Sequence, residues 1–226
     1  MRAKSKLLAL ALTAATQLAA AAPVALNFED ITASSGDPQG IGMIQLLDRY
    51  KTDGVQFTGA AWGVTSLLCG AFSLFIPHDG GCSALLLAGD PRDGSLEGSK
   101  SFTLNFADGF ITGSSLYYSA LSGSGVSITL FDDLDGKGKS TRLAGLAPTD
   151  CDVSGARFCN WGLLNLDFSG VARSMVISGV DESLMLDDLK LVKASTGPAP
   201  LPEPASVALV LGALGAAGWS RKRKAA

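Results

Sequence analysis

Apolar and polar residues alternate in one segment of this chain after another. Phe102, Leu104 and Phe106 are separated by Thr103 and Asn105, and Val126, Ile128 and Leu130 by Ser127 and Thr129. Leu164, Leu166 and Phe168 are separated by Asn165 and Asp167. A period of two puts every second side chain on one face, which suits a strand with one face buried and suits no helix. Shorter strands are expected at Val24–Glu29, Val55–Thr58, Phe72–Ile76, Ala84–Leu87, Thr112–Ser119, Thr141–Leu143, Ser174–Gly179 and Met185–Val192. Turn clusters punctuate them: Asp79-Gly80-Gly81, Asp90-Pro91-Arg92-Asp93-Gly94, Ser122-Gly123-Ser124-Gly125 and Asp135-Gly136-Lys137-Gly138. Glycine, proline and aspartate supply the backbone angles that tight turns need. Many short strands spaced by such turns predict an all-β fold, an antiparallel β-sandwich of jelly-roll type. Ile41–Arg49 is the one stretch of this region whose apolar spacing allows a helix.

The two ends have a different character. Arg2, Lys4 and Lys6 precede an apolar run from Leu7 to Leu12, and a small-residue tract follows up to Ala22. This is the three-part form of a secretory signal peptide, residues 1–21, with cleavage expected after Ala21. The β-sandwich domain is then expected over residues 22–193, and 194–201 is a linker rich in proline and small residues. Beyond it, Pro202-Glu203-Pro204 leads into the 15 uncharged residues 205–219, followed by Arg221-Lys222-Arg223-Lys224. As a helix that run is about 22 Å long, somewhat short of a bilayer core of about 30 Å. Trp219 stands where an interfacial aromatic would, and the basic cluster marks the cytoplasmic side. Export signal and basic cluster therefore agree on a domain outside and a tail inside.

Charge narrows the partners. Of 21 Asp/Glu and 18 Lys/Arg, only Glu203 among the acids lies outside residues 23–197, against seven of the basic residues. That leaves 20 acidic and 11 basic residues in the domain, a net charge of −9. An acidic domain is a poor match for a phosphate backbone, so nucleic acid is not an expected partner. Cys69, Cys82, Cys151 and Cys159 form an even set in an exported chain, which predicts disulfides with three possible connectivities. Local pairing, Cys69–Cys82 with Cys151–Cys159, is expected because each pair brackets a Gly/Asp-rich loop. Closing loops of that size is worth roughly 2.5–3 kcal/mol each in the chain-entropy model. Zinc is the competitor, but no pair has ligand spacing and His78 is the chain's one histidine.

The order Pro202-Glu203-Pro204, an Ala/Gly/Leu span and a terminal Arg/Lys cluster resembles the PEP-CTERM sorting tail. The resemblance covers residues 202–226 and implies processing by exosortase, a membrane cysteine protease-transpeptidase of Gram-negative bacteria that make exopolysaccharide. It implies transient anchoring in the membrane and delivery to the cell surface or extracellular matrix. It carries no activity for the domain in front of it.

Within the domain, carboxylates draw attention first. A regular strand over Met185–Val192 would put Asp187 on one face with Met185, Leu189 and Leu191, where its charge needs a partner. First and last strands often neighbour each other in jelly rolls, which would bring Glu29 or Asp30 to Asp187 or Asp188. Carboxylates supplemented by backbone carbonyls suit calcium, a hard ion that takes six to eight oxygens. The arrangement resembles the structural calcium site of carbohydrate-binding jelly-roll modules. Asp132-Asp133-Leu134-Asp135-Gly136 lacks the later EF-hand ligands, Lys137 and Arg142 standing in their places, and reads as a polar hairpin turn. Catalysis has little footing. A Ser–His–Asp triad would have to be built on His78, and nothing singles out a pair of carboxylates for glycoside hydrolysis. Trp62, Tyr117, Tyr118 and Trp161 are candidate sugar platforms, and adjacent Tyr117 and Tyr118 must point to opposite faces of a strand. The expected function is thus non-enzymatic contact with carbohydrate or exopolysaccharide outside the cell. The alternatives are a secreted glycan hydrolase or lyase on the same scaffold and a purely structural surface protein.

Overall fold

A computed structural model describes residues 22–32, 41–66, 75–78, 81–90, 98–143, 145–153 and 155–194. The signal segment, the linker beyond residue 194, the sorting tail and Cys69 lie outside the described residues. Among those described, no helix is long and apolar enough to cross a membrane.

The chain runs through β1 (Val24–Leu26), β2 (Ile41–Gln45), β3 (Val55–Gly59), β4 (Ala61–Ser66), β5 (Ser83–Leu87) and β6 (Ser99–Phe110). It continues through β7 (Ser114–Ala120), β8 (Ser127–Phe131), β9 (Ser140–Arg142), β10 (Gly162–Leu166), β11 (Ala172–Val180) and β12 (Leu184–Leu191). A short 3-10 turn, Lys51–Asp53, precedes β3. The larger sheet has the order β10-β7-β12-β5-β4-β2, with β1 also on β12; the smaller is β3-β6-β11-β8-β9. The strand pairs are antiparallel. The architecture is an all-β sandwich, as the alternation requires.

The period of two decides what fills it. Phe102, Leu104 and Phe106 of β6, Ile128 and Leu130 of β8, and Met175 and Ile177 of β11 turn inward from the smaller sheet. They meet Leu116, Tyr118 and Ala120 of β7 and Leu184, Leu186, Leu189 and Leu191 of β12. Burying one such side chain is worth about 1.5–3 kcal/mol, so this layer dominates stability. The core residues all fall within residues 21–194, one compact unit that carries its own interior and can be handled as a domain.

Two local expectations are overturned. Ile41–Arg49 is not a helix: Ile41–Gln45 is a strand paired with β4 from Ile41↔Ser66 to Gln45↔Trp62. Gly42 weakens a helix by about 1 kcal/mol, and the ladder offered by β4, itself absent from the sequence-based strand set, outweighs local spacing. The regular face assigned to Met185, Asp187, Leu189 and Leu191 does not exist either. The β12–β7 register shifts between Asp187 and Lys190, and Asp188 has φ 46°. One residue inserted into a period of two exchanges the faces. Leu184 and Leu186 before the bulge and Leu189 and Leu191 after it share the main core, while Met185 belongs to a second cluster.

Candidate functional site

The outer face of the larger sheet is where the chain departs from a simple sandwich. Trp62 and Val64 of β4, Ala84 and Leu86 of β5 and Met185 of β12 form an apolar surface there, and Phe75 and Phe158 close over it. Phe75 and Phe158 make a parallel bridge, and the Ile76 N–H donates to the Phe158 carbonyl at 2.8 Å. The Trp161 indole N–H donates to the Ile76 carbonyl at 2.8 Å. Residues 75–78, 151–153 and 155–161 therefore act as one cover.

Several bonds hold the last two of these segments. Cys151 and Cys159 are joined by a disulfide, the pairing expected from sequence. Cys82 is also disulfide-bonded. The Arg157 guanidinium binds the Glu182 carboxylate at 2.9 Å and its carbonyl at 3.1 Å, and lies over the Phe158 ring at 5.8 Å. Asp150 accepts from the Ser122 hydroxyl and from the Ser122 N–H, which together hold its carboxyl below the usual carboxylate range.

At the margin of the cover stands His78. Its Nδ1–H donates to Asp188 Oδ2 at 2.8 Å, because a carboxylate can only accept. Its ring stacks on Tyr117 with centroids 3.5 Å apart and meets Trp161 edge-on at 6.0 Å. The His78 and Asp188 side chains are 25% and 29% exposed, enough to reach a ligand. Leu163 of β10 lies opposite Tyr117 and is 51% exposed. The bulge gives Asp188 its place here, since a regular strand would have directed alternate side chains differently. The result is a half-exposed patch with two aromatic rings, an aliphatic flank, and an imidazole and carboxylate fixed in orientation.

Of the four aromatic candidates, the patch unites Tyr117 and Trp161. Trp62 is 4% exposed in the second cluster and Tyr118 is 8% exposed in the main core, so neither is a platform. The two tyrosines do point to opposite faces, as strand geometry demands. Sequence reasoning left His78 in a loop and missed Leu163; the His78–Asp188 contact joins residues 110 apart and leaves no periodic trace.

The acidic candidates are dispersed. β1 does pair with β12, Leu26 opposite Leu189. Yet Asp30 turns to Arg49 Nε at 2.8 Å and the Tyr50 hydroxyl at 2.5 Å, and Asp188 turns to His78. Burial first, then the Asp30 hydrogen bond and charge, pushes the Tyr50 phenol well above its ordinary pKa. Glu29 accepts the N–H groups of Cys82 at 2.8 Å and Ser83 at 3.2 Å, at the entrance to β5. A Cβ at Gly81 would lie 2.0 Å from Glu29 Oε1, so this clamp requires glycine there. Asp187 is fully buried, and its Oδ1 accepts the Asp188 N–H at 2.8 Å. Among the described residues no three His, Cys, Asp or Glu side chains gather as metal ligands. The loop Asp132–Gly138 is the hairpin turn expected: Asp132 accepts the Lys139 N–H at 2.7 Å, and Asp135 and Asn105 exchange bonds of 2.8 and 2.9 Å.

Two concavities lie away from the patch. One of about 480 Å³ is bordered by Val24, Lys51, Asp53, Asp108 and Lys193. The other, about 250 Å³, runs between Phe131, Lys139, Thr141, Phe168 and Val171. Neither joins aromatic rings to a hydrogen-bonded imidazole–carboxylate pair.

No protein-family model and no curated protein matches the chain. Among solved structures it is similar to TmCBM61 in complex with β-1,4-galactotriose, at 16% identity and a TM-score of 0.34. That match covers 64% of this chain and 94% of the other. A likeness at this level carries no argument about function. Fold and site define the class: an all-β sandwich whose larger sheet bears a disulfide-braced cover and an aromatic–imidazole–carboxylate patch.

Proposed function

We propose that this chain is exported, held briefly in the membrane by residues 205–219, and sorted by an exosortase-like enzyme to the cell surface or extracellular matrix. There its jelly-roll-type sandwich contacts polysaccharide without cleaving it. The observation that carries the contact is His78 stacked on Tyr117, edge-on to Trp161 and bonded to Asp188. Sugar rings present apolar C–H faces and a rim of hydroxyls. Such ligands call for aromatic surface beside a few oriented polar groups, which this patch supplies. The export half rests on residues 1–21 and 202–226 and fits the disulfide, which persists in oxidising compartments.

The domain, residues 22–194, is tested on a glycan array and in a reducing-sugar release assay with the same polysaccharides. Binding without release is expected, and Tyr117→Ala should weaken it by about tenfold, the worth of one aromatic contact. Release of reducing ends would replace this reading by the hydrolase or lyase one, for which His78 offers an imidazole oriented by Asp188. Silence in both assays would leave a purely structural surface protein. The sorting half is checked by mass spectrometry of the extracellular form. No peptide from residues 205–221 should be found, and a surface protein retaining them contradicts the proposal.

Calcium continues as a narrower proposal. Glu29 clamps the start of β5, and the register Met185↔Leu86, Leu186↔Leu85 leads Asp187 toward the same strand start. An ion held by these two carboxylates would need backbone oxygens to complete its shell.

A further inference from the structure

Among the described residues β10, beside the patch, is a sheet edge with a strand on one side alone, and its sequence suits a second copy of itself. β10 binds β7 from Gly162↔Tyr118 to Leu166↔Ser114. On its other side no strand pairs with it among the described residues; the Asp167 N–H merely turns back to the Asn165 carbonyl at 3.1 Å. The usual protections of an edge are charge, proline, a bulge or a covering segment. Gly162-Leu163-Leu164-Asn165-Leu166 has no charge, proline or bulge, and no other described residue hydrogen-bonds along its far side. The other edges differ, β1 being only three residues long. Along β3, Phe57 N–H donates to the Leu47 carbonyl at 2.8 Å and Gln56 binds Asp48 at 2.6 Å, so residues 47–48 cover it. β9 is three exposed residues ending in Arg142, with Lys137 and Lys139 just before it. β2 is entered from residues 33–40, outside the described ones.

We propose that two copies of this domain pair antiparallel through β10, related by a two-fold axis at Leu164. In this register Leu163 faces Asn165 of the second copy, Leu164 faces its own equivalent, and Gly162 faces Leu166. Asp167 then meets Trp161, so no like charges oppose each other despite the domain's net −9. That compatibility favours a second copy over an arbitrary strand, and an isologous contact closes at two. Antiparallel partners share faces, so both patches lie on the same side of the joined sheet. Their Tyr117-bearing strands stand three strand spacings apart, about 14 Å. A polymer could engage both, although the pairing itself does not depend on the sugar reading.

Sedimentation velocity of the 22–194 domain over a dilution series tests this. The wild type should form a dimer. Leu163→Lys/Asn165→Lys sets two lysine pairs face to face and should weaken it by about tenfold or more. Both side chains are exposed, so the fold of the single copy should hold, and the variant should melt where the wild type does once diluted to monomer. Mixing that variant with Leu163→Glu/Asn165→Glu should restore a mixed dimer. A wild type that stays monomeric, a dimer indifferent to the lysine pair, or one broken instead by Ile44→Lys on β2 would each overturn the proposal.

Discussion

Phe158→Ala should release the cover over the larger sheet, at a cost of up to about 3–5 kcal/mol. Phe158 is fully buried among Trp62, Phe75 and Met185, and its backbone bridges Phe75. Truncation removes the transfer energy of the ring and leaves a cavity that only partly collapses. The second cluster is separate from the core between the sheets, so the damage should stay local. If residues 75–78, 151–153 and 155–161 open, the global loss is capped at the energy of that opening. Hydrogen exchange should therefore accelerate in those segments while β6 and β11 keep their protection. His78 would leave Tyr117, and polysaccharide contact should be lost with it. A variant that loses under about 1 kcal/mol and keeps residues 75–78 protected would mean that something other than this cluster holds the cover.

Glu29→Ala should destabilise the domain by about 2–4 kcal/mol in a urea melt. One carboxylate satisfies two N–H groups at the mouth of β5, and hydrogen bonds to a charged group are worth about 1.5–3 kcal/mol each. Ser83 is buried at 1% exposure, so its N–H would have no solvent to turn to. Glu29→Gln should fall between, because an amide presents one accepting oxygen and places an N–H₂ group against a donor. The same melts decide the calcium question. The hydrogen-bond loss persists in chelator, whereas a bound ion adds a rise in wild-type melting temperature with calcium that vanishes in Glu29→Ala. Equal wild-type melting in calcium and chelator leaves Glu29 a clamp alone.

The sandwich was legible because its information is local. Phe102, Leu104 and Phe106 are two apart and point one way whatever they pack against, and the glycine-rich turns separate one strand from the next. Ile41–Gln45 was misread because its apolar residues fit both periods, and only the distant β4 decides between them. The site was half legible. Strand parity puts Tyr117 and Tyr118 on opposite faces without saying which is outward, and Trp62 and Trp161 could not be told apart without the cover that buries one more than the other. Asp188 and His78 were opaque for a different reason. A bulge shifts parity by one residue with no signature in Leu186-Asp187-Asp188-Leu189, and the histidine arrives from a loop 110 residues away. Glu29 stood out in the sequence only as a carboxylate near the first strand; that it accepts the N–H groups of Cys82 and Ser83 is something no residue pattern displays.

Where a polysaccharide touches the domain can be measured directly by amide and indole chemical shifts, titrating a glycan selected on the array into 15N-labelled residues 22–194. The largest changes should fall on the Trp161 indole N–H and on the amides of His78, Tyr117, Leu163 and Asp188, and Tyr117→Ala should raise the glycan concentration needed to produce them by about tenfold. Changes centred instead on Phe131, Lys139, Phe168 and Val171 would move the contact to the groove on the other sheet and contradict it.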